Sequence, residues 1–312
     1  MGSVLCRLLL KEGHEVVGLD SLLQGGHALT ALYLEDKFTF VRGDIRSTEI
    51  LNQVVPGSDA VVHLAAIVGD PACARDPEVT QDVNVNGAME LIRTCKSSDI
   101  GRLIFSSTCS NYGKMADPNS LVDEESELQP ISLYAESKVA VERHLLDTQN
   151  DSDPTVTVLR FATLFGLSPR MRFDLTVNTL TMEMLTTGST VLYGEQFWRP
   201  YIHVLDAARA IVLVLGSPKE KVDGQVFNVG DTSQNYQKGQ LAELILENIG
   251  DSARIEHVER NEDPRDYRVS FQKIQRELGF QITRTADDGI KEIINAISQG
   301  VITDIEDPRY TN

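Results

Sequence analysis

The chain has 312 residues, more than one hydrophobic core usually holds, which predicts a larger and a smaller lobe. Its 29 basic and 46 acidic residues give a formal net charge of -17, which argues against nucleic acid or anionic lipid as a partner. The four cysteines lack C-x-x-C pairing and metal-ligand spacing, so the sequence predicts neither a disulfide framework nor a metal site. The apolar run at 8–10 is too short for a signal peptide or a membrane span, and we expect a cytoplasmic protein.

Apolar periodicity in the first half of the chain alternates between helical and strand-like segments. Helical patterns cover residues 3–12, 78–98 and 132–147, and strand patterns cover residues 15–20, 37–42, 60–64, 102–106 and 155–161. Strands that alternate with helices predict an α/β fold in which a doubly wound parallel sheet is covered by helices on both faces.

Beyond Gly166 the pattern loosens into shorter elements separated by proline- and glycine-marked turns. Helices are predicted near 174–187, 203–215, 238–249 and 285–298, and short strands near Thr190 and Val226. We therefore predict a first domain over residues 1–165 and a smaller α/β lobe over residues 166–312, with some segments of the second part returning to the first domain.

The pair Tyr134 and Lys138 is four residues apart in the helix predicted for 132–147, so both side chains lie on one face. A free tyrosine has a pKa near ~10, and a neighbouring ammonium favours its phenolate and makes it a better base. Thr108, at a polar strand end, would supply a second hydroxyl. This trio fits proton exchange with a substrate alcohol while a hydride moves to a dinucleotide. Taken alone, Y-x-x-x-K is short and also fits a surface tyrosine and lysine on an amphipathic helix.

Acidic and small residues follow the first three predicted strands. Asp20 closes the first strand, where nucleotide-binding folds place a carboxylate that accepts hydrogen bonds from the adenosine ribose. Such a carboxylate would repel a 2′-phosphate and favours NAD over NADP, although aspartate is also common in ordinary turns. Asp44 ends the next strand and could accept from the adenine amino group. Ala65 and Ala66 follow the third strand and would let a cofactor approach, whereas His63 there is more simply a packed histidine.

Taken in sequence order, these segments resemble the extended short-chain dehydrogenase/reductases, specifically the nucleotide-sugar epimerase/dehydratase family typified by UDP-galactose 4-epimerase. The resemblance runs from Gly2 to about Gly279 and is strong because all the motifs occur in order. The matching segments are Gly2, Asp20, Gly43-Asp44-Ile45, His63-Leu64-Ala65-Ala66, Asn84-Val85-Asn86-Gly87, Ser106-Ser107-Thr108 through Tyr112-Gly113, Tyr134 through Lys138, and Arg199-Pro200-Tyr201-Ile202-His203-Val204-Leu205-Asp206.

The resemblance implies that residues 1–165 form an NAD-binding Rossmann domain. It implies Tyr134 as the acid/base, Lys138 on the nicotinamide ribose and lowering the tyrosine pKa, and Thr108 holding the reacting hydroxyl. Asn86 would support the active-site strand. The cofactor-binding residues that it implies are Gly2, Asp20, Asp44, Ile45, Leu64, Ala65, Ala66, Asn86, Tyr134 and Lys138.

The resemblance also implies a nucleoside-diphosphate sugar as the substrate, bound between the lobes. Arg199 matches a diphosphate-binding arginine, and Arg260 with Asp263 matches a diphosphate and ribose pair. An arginine fork suits a diphosphate because it donates parallel charge-assisted hydrogen bonds. Asn178 matches a substrate-phosphate contact, and Thr163 replaces a common asparagine near the sugar. Each of these residues could alternatively belong to ordinary salt bridges and caps.

Two features depart from the family pattern. The glycine-rich dinucleotide turn follows a first strand in the family, and this sequence begins at what corresponds to the third glycine, Gly2. The first strand and part of the turn are therefore expected to be missing, either because the sequence is shortened or because this is a binding-impaired relative. The second departure is Cys109-Ser110 after Thr108, where family dehydratases place Asp-Glu to eliminate water, so dehydration is disfavoured.

We predict an NAD-dependent nucleotide-sugar epimerase that inverts C4 through a 4-keto intermediate, because that reaction regenerates NAD and agrees with Asp20. The alternatives are an NAD-dependent nucleotide-sugar 4-dehydrogenase or ketoreductase, and a non-catalytic nucleotide-binding relative. The resemblance also implies a homodimer in which the helices at 78–98 and 132–147 form a four-helix bundle with their mates. The residues offered for that bundle are Met89, Leu91, Ile92, Val139 and Val141.

Overall fold

The first part of the chain alternates strands and helices, as the sequence predicts. The structure is a computed structural model that describes residues 1–115, 117, 120–150, 153–258 and 265–312. Its first elements are α1 (Gly2–Lys11), β1 (Val16–Asp20), β2 (Phe38–Arg42), α2 (Thr48–Val54), β3 (Ala60–His63), α3 (Asp70–Arg75), α4 (Pro77–Gln81), α5 (Ala88–Ser97), β4 (Arg102–Thr108), α6 (Leu133–Asp147) and β5 (Thr155–Phe161). The strand predicted over 155–161 has those bounds in the structure.

Shorter elements make up the rest. They are β6 (Thr163–Phe165), α7 (Thr176–Thr187), β7 (Ser189–Tyr193), β8 (Trp198–His203), α8 (Val204–Gly216), α9 (Lys219–Val222), β9 (Gln225–Val229), β10 (Asn235–Gln237), α10 (Lys238–Ile249), β11 (Arg254–Val258), α11 (Gln272–Leu278) and α12 (Ala286–Ser298). The predicted helices near 174–187, 203–215, 238–249 and 285–298 are confirmed, whereas α11 and the strands β6, β8, β10 and β11 were not anticipated.

The principal sheet is parallel and has the strand order β3-β4-β5-β9. Every residue of β5 is buried, because the strand is central and both faces of the sheet are covered. β9 follows the predicted boundary at Gly166 and still pairs with β5. β1 and β2 form a separate parallel pair. The predicted α/β fold with parallel strands is confirmed, and the predicted loss of a first strand stays a prediction.

The second lobe packs α7, α10 and α12 around an apolar cluster and two small sheets. The sheets have the orders β10-β8-β6 and β11-β7. The buried residues of this cluster include Val177, Leu180, Leu241, Ile245 and Ile290. No helix among the described ranges is long and apolar enough to cross a lipid bilayer.

The end of the Arg199-to-Asp206 motif attaches the last part of the chain to α8. Asp206 is fully buried, and its carboxylate accepts the backbone N–H groups of Thr283 at 2.8 Å and Arg284 at 2.9 Å. His203 Nε2 lies 2.9 Å from a carboxylate oxygen of Glu292 on α12. These contacts give the motif a structural role, because a buried carboxylate without donors would be strongly destabilising.

The apolar residues on which the predicted four-helix bundle rested pack inside the chain. Leu91, Ile92, Val139 and Val141 are at most 5% exposed, and Met89 packs against the same cluster. Side chains already covered within one chain leave little apolar surface for a partner. The homodimer therefore stays a prediction without the support that the sequence offered for it.

Candidate active site

Three of the predicted site residues meet at the carboxyl end of β4. β4 ends at Thr108, and α6 begins directly after Ser132, whose side chain accepts the Ala135 N–H at 3.3 Å and caps the helix. This cap places Tyr134 in the first turn of α6 and Lys138 one turn later on the same face. The Lys138 ammonium lies 5.9 Å from the centroid of the Tyr134 ring. The predicted pair is therefore formed in space.

Lys138 is a buried cation anchored to the active-site strand. Lys138 is only 3% exposed, and its Nζ donates to the Ser106 carbonyl oxygen at 2.9 Å. Nζ also lies 4.9 Å from the centroid of the Phe105 ring. Burial lowers the pKa of Lys138 to about 8, against an opposing effect of Cys73. The ammonium is thus held in place at neutral pH but releases its proton more readily than an exposed lysine.

The pKa of the Tyr134 phenol differs from the predicted one. Burial raises the pKa of Tyr134 above its ordinary value, and nearby Cys73 adds to that shift while Arg172 opposes it. The predicted net lowering of the Tyr134 pKa is therefore wrong for this structure. The physical reason is that desolvation disfavours the phenolate, while the Lys138 ammonium is directed to the Ser106 carbonyl oxygen. At neutral pH the phenol holds its proton.

Thr108 presents its hydroxyl from the strand end. The residue is 8% exposed, and Oγ1 accepts the Ser110 N–H at 3.1 Å, which begins the short helical turn Cys109–Tyr112. A hydroxyl that accepts in this way retains its own O–H as a donor. The Ser110 hydroxyl oxygen lies 3.3 Å from the Tyr267 phenol oxygen, on the second part of the chain. The Thr108 hydroxyl can thus donate to one further acceptor.

A buried polar network fixes the end of β4 from below. Glu142, on α6, accepts from Ser107 Oγ at 2.9 Å and from Arg160 Nε at 3.0 Å. Asn111 Nδ2 donates to Ser107 Oγ at 3.0 Å, and Arg160 Nη1 donates to the Tyr112 phenol oxygen at 2.9 Å. Glu142 is not among the site residues that the sequence predicts. A signal was present, because Glu142 follows Lys138 at the same four-residue spacing that separates Lys138 from Tyr134.

Asn84, and not Asn86, supports the active-site helix. Asn84 Oδ1 accepts the Ile67 N–H at 2.7 Å, and its Nδ2 donates to the Ile67 carbonyl at 2.9 Å and to Ser137 Oγ at 3.3 Å. The Ser137 hydroxyl donates in turn to the Tyr134 carbonyl at 2.7 Å. Asn86 is exposed and donates to Asp82 at 3.1 Å. The supporting role predicted for Asn86 is therefore wrong.

The expected adenosine-binding carboxylates differ in their surroundings. Asp20 is exposed at the end of β1, and its Oδ1 accepts the Leu22 N–H at 2.7 Å. Asp44 is instead engaged by Arg46, whose backbone N–H donates to Oδ1 at 2.9 Å and whose Nη2 donates to Oδ2 at 2.7 Å. This ion pair lowers the pKa of Asp44. Arg46 Nη1 also donates to Asp82 at 2.9 Å. An adenine amino group that bonded to Asp44 would therefore share the Asp44 carboxylate with Arg46.

The remaining residues of the predicted cofactor site lie around the loop after β3. Leu64, Ala65 and Ala66 are half-buried there, and a side chain added at Gly2 would contact Leu64. Ile45 is buried against Gly87, which has no room for a Cβ. His63 is 4% exposed, and the centroid of its ring lies 5.7 Å from the centroid of the Phe105 ring. Burial lowers the pKa of His63 to about 3, so it is a neutral packed residue, in agreement with the simpler interpretation.

In the second part of the chain, Arg199 lies beside Tyr267, whose phenol oxygen contacts Ser110. The Arg199 guanidinium carbon is 5.4 Å from the centroid of the Tyr267 ring, and Nη1 donates to the Trp198 carbonyl at 2.6 Å. Asn178 is 2% exposed, and its Oδ1 accepts the Gly166 N–H at 3.0 Å.

Thr163 is half-buried at the start of β6. The predicted pair Arg260 and Asp263 falls outside the described residues. An ion pair that the sequence did not predict joins Asp70, which begins α3, to Arg265 at 2.8 Å. It links α3 to the segment that carries Tyr267 by charge.

The parallel sheet and the arrangement of Thr108, Tyr134 and Lys138 define a short-chain dehydrogenase/reductase. The model of the NAD-dependent epimerase/dehydratase family matches residues 1–230, and the chain belongs to this family. The family is NAD-dependent, which confirms the predicted cofactor.

The similar proteins include both epimerases and dehydratases, the two kinds of enzyme in the family's description. A dTDP-glucose 4,6-dehydratase of Streptomyces niveus is 30% identical over 289 residues, which are 91% of this chain and 83% of that protein. A UDP-glucose 4-epimerase of Mycolicibacterium smegmatis is 29% identical over 300 residues, 94% of each chain. A solved UDP-glucuronic acid 4-epimerase from Bacillus cereus, in complex with UDP-glucuronic acid and NAD, superposes with a TM-score of 0.84 at 26% identity and 96% coverage of each chain.

The two neighbouring asparagines provide a matched test of the site's framework. We expect Asn84→Ala to lower the free energy of unfolding by ~2–4 kcal/mol, because it leaves the Ile67 N–H and carbonyl groups without their partner. Asn86→Ala should change it by less than ~0.5 kcal/mol, because Asn86 is exposed. Urea denaturation of both variants measures the difference, and equal effects would contradict the assignment.

The burial of Lys138 predicts a stability cost that depends on pH. Its pKa falls from the ordinary 10.5 to about 8, so the charged form opposes folding below pH 8 and the cost disappears as the pH rises to 10.5. Lys138→Met should raise the free energy of unfolding by ~1–3 kcal/mol at pH 7, with no advantage left near pH ~10.5. Urea titrations across this range measure it, with the exposed Lys219→Met as the control. If the difference in free energy of unfolding between Lys138→Met and wild type did not vary with pH, the stability cost assigned to the Lys138 charge would be contradicted.

Proposed function

We propose that this protein is an NAD-dependent nucleotide-sugar epimerase that inverts C4 through a 4-keto intermediate. The observation that carries the proposal is the meeting of Thr108, Tyr134 and Lys138 at one strand end, with no second acid and base in the two positions after Thr108. That arrangement supports one reversible proton exchange at a sugar hydroxyl. It offers no additional pair for the elimination of water.

The residues of the first lobe fit NAD. The exposed carboxylate of Asp20 can accept hydrogen bonds from the adenosine ribose, and the small side chains of Ala65 and Ala66 leave room at the end of β3. Lys138 uses one ammonium proton for Ser106, so its other donors suit the hydroxyls of the nicotinamide ribose. NAD, when bound there, supplies the hydride acceptor and donor for the sugar carbon.

In the proposed mechanism, Tyr134 takes the proton of the C4 hydroxyl and returns it after the sugar has presented its other face. Thr108 donates to the reacting oxygen and fixes its distance from the phenol. Burial keeps the Tyr134 phenol protonated before the reaction, and the positive charge of Lys138, 5.9 Å from the ring centroid, opposes burial by favouring the phenolate that Tyr134 needs to act as the base.

The two residues after Thr108 argue against the dehydratase reaction of the Streptomyces relative. The thiol of Cys109 is buried, 1% exposed, and donates to the Arg160 carbonyl at 3.2 Å. Burial raises its pKa far above the ordinary thiol value, so Cys109 is a poor acid or base. Ser110 is engaged with Tyr267. These contacts support epimerisation as the better proposal.

We propose a nucleoside-diphosphate sugar as the substrate, in the cleft between the principal sheet and the second lobe. Arg199 would bind the diphosphate, and Thr163 and Asn178 would line the sugar and phosphate positions, with Arg260 and Asp263 as further contacts. Arg199 lies beside Tyr267, which in turn contacts Ser110 near the reacting hydroxyls. The UDP-sugar epimerases among the relatives agree with this class. We also propose a homodimer.

Tyr134→Phe tests the proposed chemistry. It should reduce turnover of the nucleotide sugar by at least ~100-fold and leave NAD and nucleotide binding within a few-fold, because it removes the acid/base and little contact area. Tyr193→Phe, the same change at an exposed tyrosine, should leave turnover intact. Several nucleotide sugars are screened with catalytic NAD, and NMR follows the H4 signal.

Three outcomes would overturn the proposal or redirect it. Full activity of Tyr134→Phe would contradict the role of the phenol. NADH that accumulates in proportion to product would identify the 4-dehydrogenase alternative. Failure of the wild-type protein to bind NAD would favour the non-catalytic nucleotide-binding relative.

A further inference from the structure

The C-terminal segment is anchored to the second lobe by an apolar cluster. Ile302 is buried, and Ile305 and Tyr310 pack against the same group of side chains. The Tyr310 and Phe173 rings meet edge to face, with centroids 5.5 Å apart, and the Phe173 N–H donates to the Tyr310 carbonyl at 2.9 Å. The buried residues of the cluster are Met171, Phe173, Ile293, Ala296 and Ile302. This packing fixes the starting point and direction of the last residues.

From that anchor the chain crosses to the first lobe, where Asn312 joins both sides of the cleft. Its Nδ2 donates to the Val68 carbonyl at 2.7 Å, in the loop after β3, and its backbone carbonyl accepts from Arg75 on α3 at 2.9 Å. Its Oδ1 accepts from Arg170 at 2.7 Å, and its N–H donates to Asp174 at 3.3 Å. The backbone and side-chain polar groups of Asn312 therefore bond to four different residues.

The partners of Asn312 lie next to residues of the proposed site. Val68 follows Ile67, the residue that Asn84 holds to the active-site helix. Arg170 is committed to the segment 309–312, since Nη2 also donates to the Thr311 carbonyl at 2.9 Å and Nε donates to the Arg309 carbonyl. Asp174 is paired with Arg172, which influences the pKa of Tyr134. The segment thus contacts residues next to the proposed site in both parts of the chain.

We propose that residues 307–312 form a C-terminal strap that closes the substrate cleft, and that Asn312 is the positioning residue that ties the loop after β3 to the segment 170–174. The strap rests on the proposed function only for the identity of the ligand beneath it. Asn312 acts through Val68, Arg170 and Asp174 and does not itself take part in the chemistry.

The strap is built to open. Pro308, Arg309 and Thr311 are exposed, so little apolar area holds residues 308–312 to the first lobe. The strap is held to the first lobe by a few hydrogen bonds, each worth about 1 kcal/mol net. Thermal motion can break so few bonds often. A substrate can therefore enter when the Asn312 contacts break, and the loop after β3 is ordered again when they form.

Hydrogen exchange tests the strap without requiring any activity. Asn312→Ala should speed amide exchange about tenfold in residues 66–70 and 170–174, by the loss of about one net hydrogen bond on each side. Thr311→Ala, an exposed neighbour whose backbone contacts remain, is the matched control and should leave both segments unchanged. Exchange within twofold of wild type in both segments of Asn312→Ala would overturn the proposal.

A second variant separates the two sides of the strap. Asn312→Asp keeps an acceptor for Arg170 and removes the donor to the Val68 carbonyl, so exchange should rise in 66–70 and stay at the wild-type rate in 170–174. Equal increases in both segments would show that Asn312 does not divide its contacts as proposed, and would overturn its positioning role.

Release of UDP, measured by stopped flow, tests closure over the ligand. Asn312→Ala should release UDP at least ~5-fold faster than wild type, because the strap no longer bridges the cleft. Unchanged release with faster exchange would overturn the closing role. If wild-type protein and Thr311→Ala fail to bind UDP, dTDP, GDP, ADP and CDP, the proposed substrate class fails, and the exchange experiment alone decides whether the strap exists.

Discussion

A buried ion pair between Glu142 and Arg160 is the interaction on which the site depends. Both side chains are at most 5% exposed, beneath the carboxyl end of the central strands. Removing two charges from water costs several kcal/mol per ion, which only close pairing and full hydrogen bonding offset. Ser107, Asn111 and Tyr112 supply or accept those hydrogen bonds. The charges therefore require the strand end and the turn that follows it to have one conformation.

That conformation reaches the reacting groups through α6. Tyr134, Lys138 and Glu142 are spaced by four residues, so the helix that carries the buried carboxylate also carries the phenol and the ammonium. Lys138 attaches the same face of α6 to the Ser106 carbonyl, and Asn84 attaches its first turn to the loop after β3 through Ser137. The part of α6 that carries Tyr134 is thus held from three sides, which is the preorganisation that a proton transfer requires.

The sequence predicted the architecture well where local patterns and packing agree. The β-branched and apolar residues at 155–161, with helical and strand patterns alternating around them, favour a buried parallel strand, and β5 has those bounds. The choice between Asn84 and Asn86 could not be made from helical spacing, because a π-helical turn at Asp82–Gly87 shifts which residues face inward. The raised pKa of Tyr134 depends on burial, which a four-residue spacing does not contain. The contacts of Asn312 with Val68 join residues far apart in sequence, and no local pattern signals them.

The central claim is that one phenol and one hydride carrier act on the same sugar carbon, so that C4 is inverted without net oxidation. A nucleotide sugar deuterated at C4, incubated with the protein and catalytic NAD, tests this directly by NMR and mass spectrometry. The account predicts that the deuterium stays at C4 of the epimer while the stereochemistry there is inverted. Deuterium found on another carbon of the sugar, or in released NADH, would contradict it.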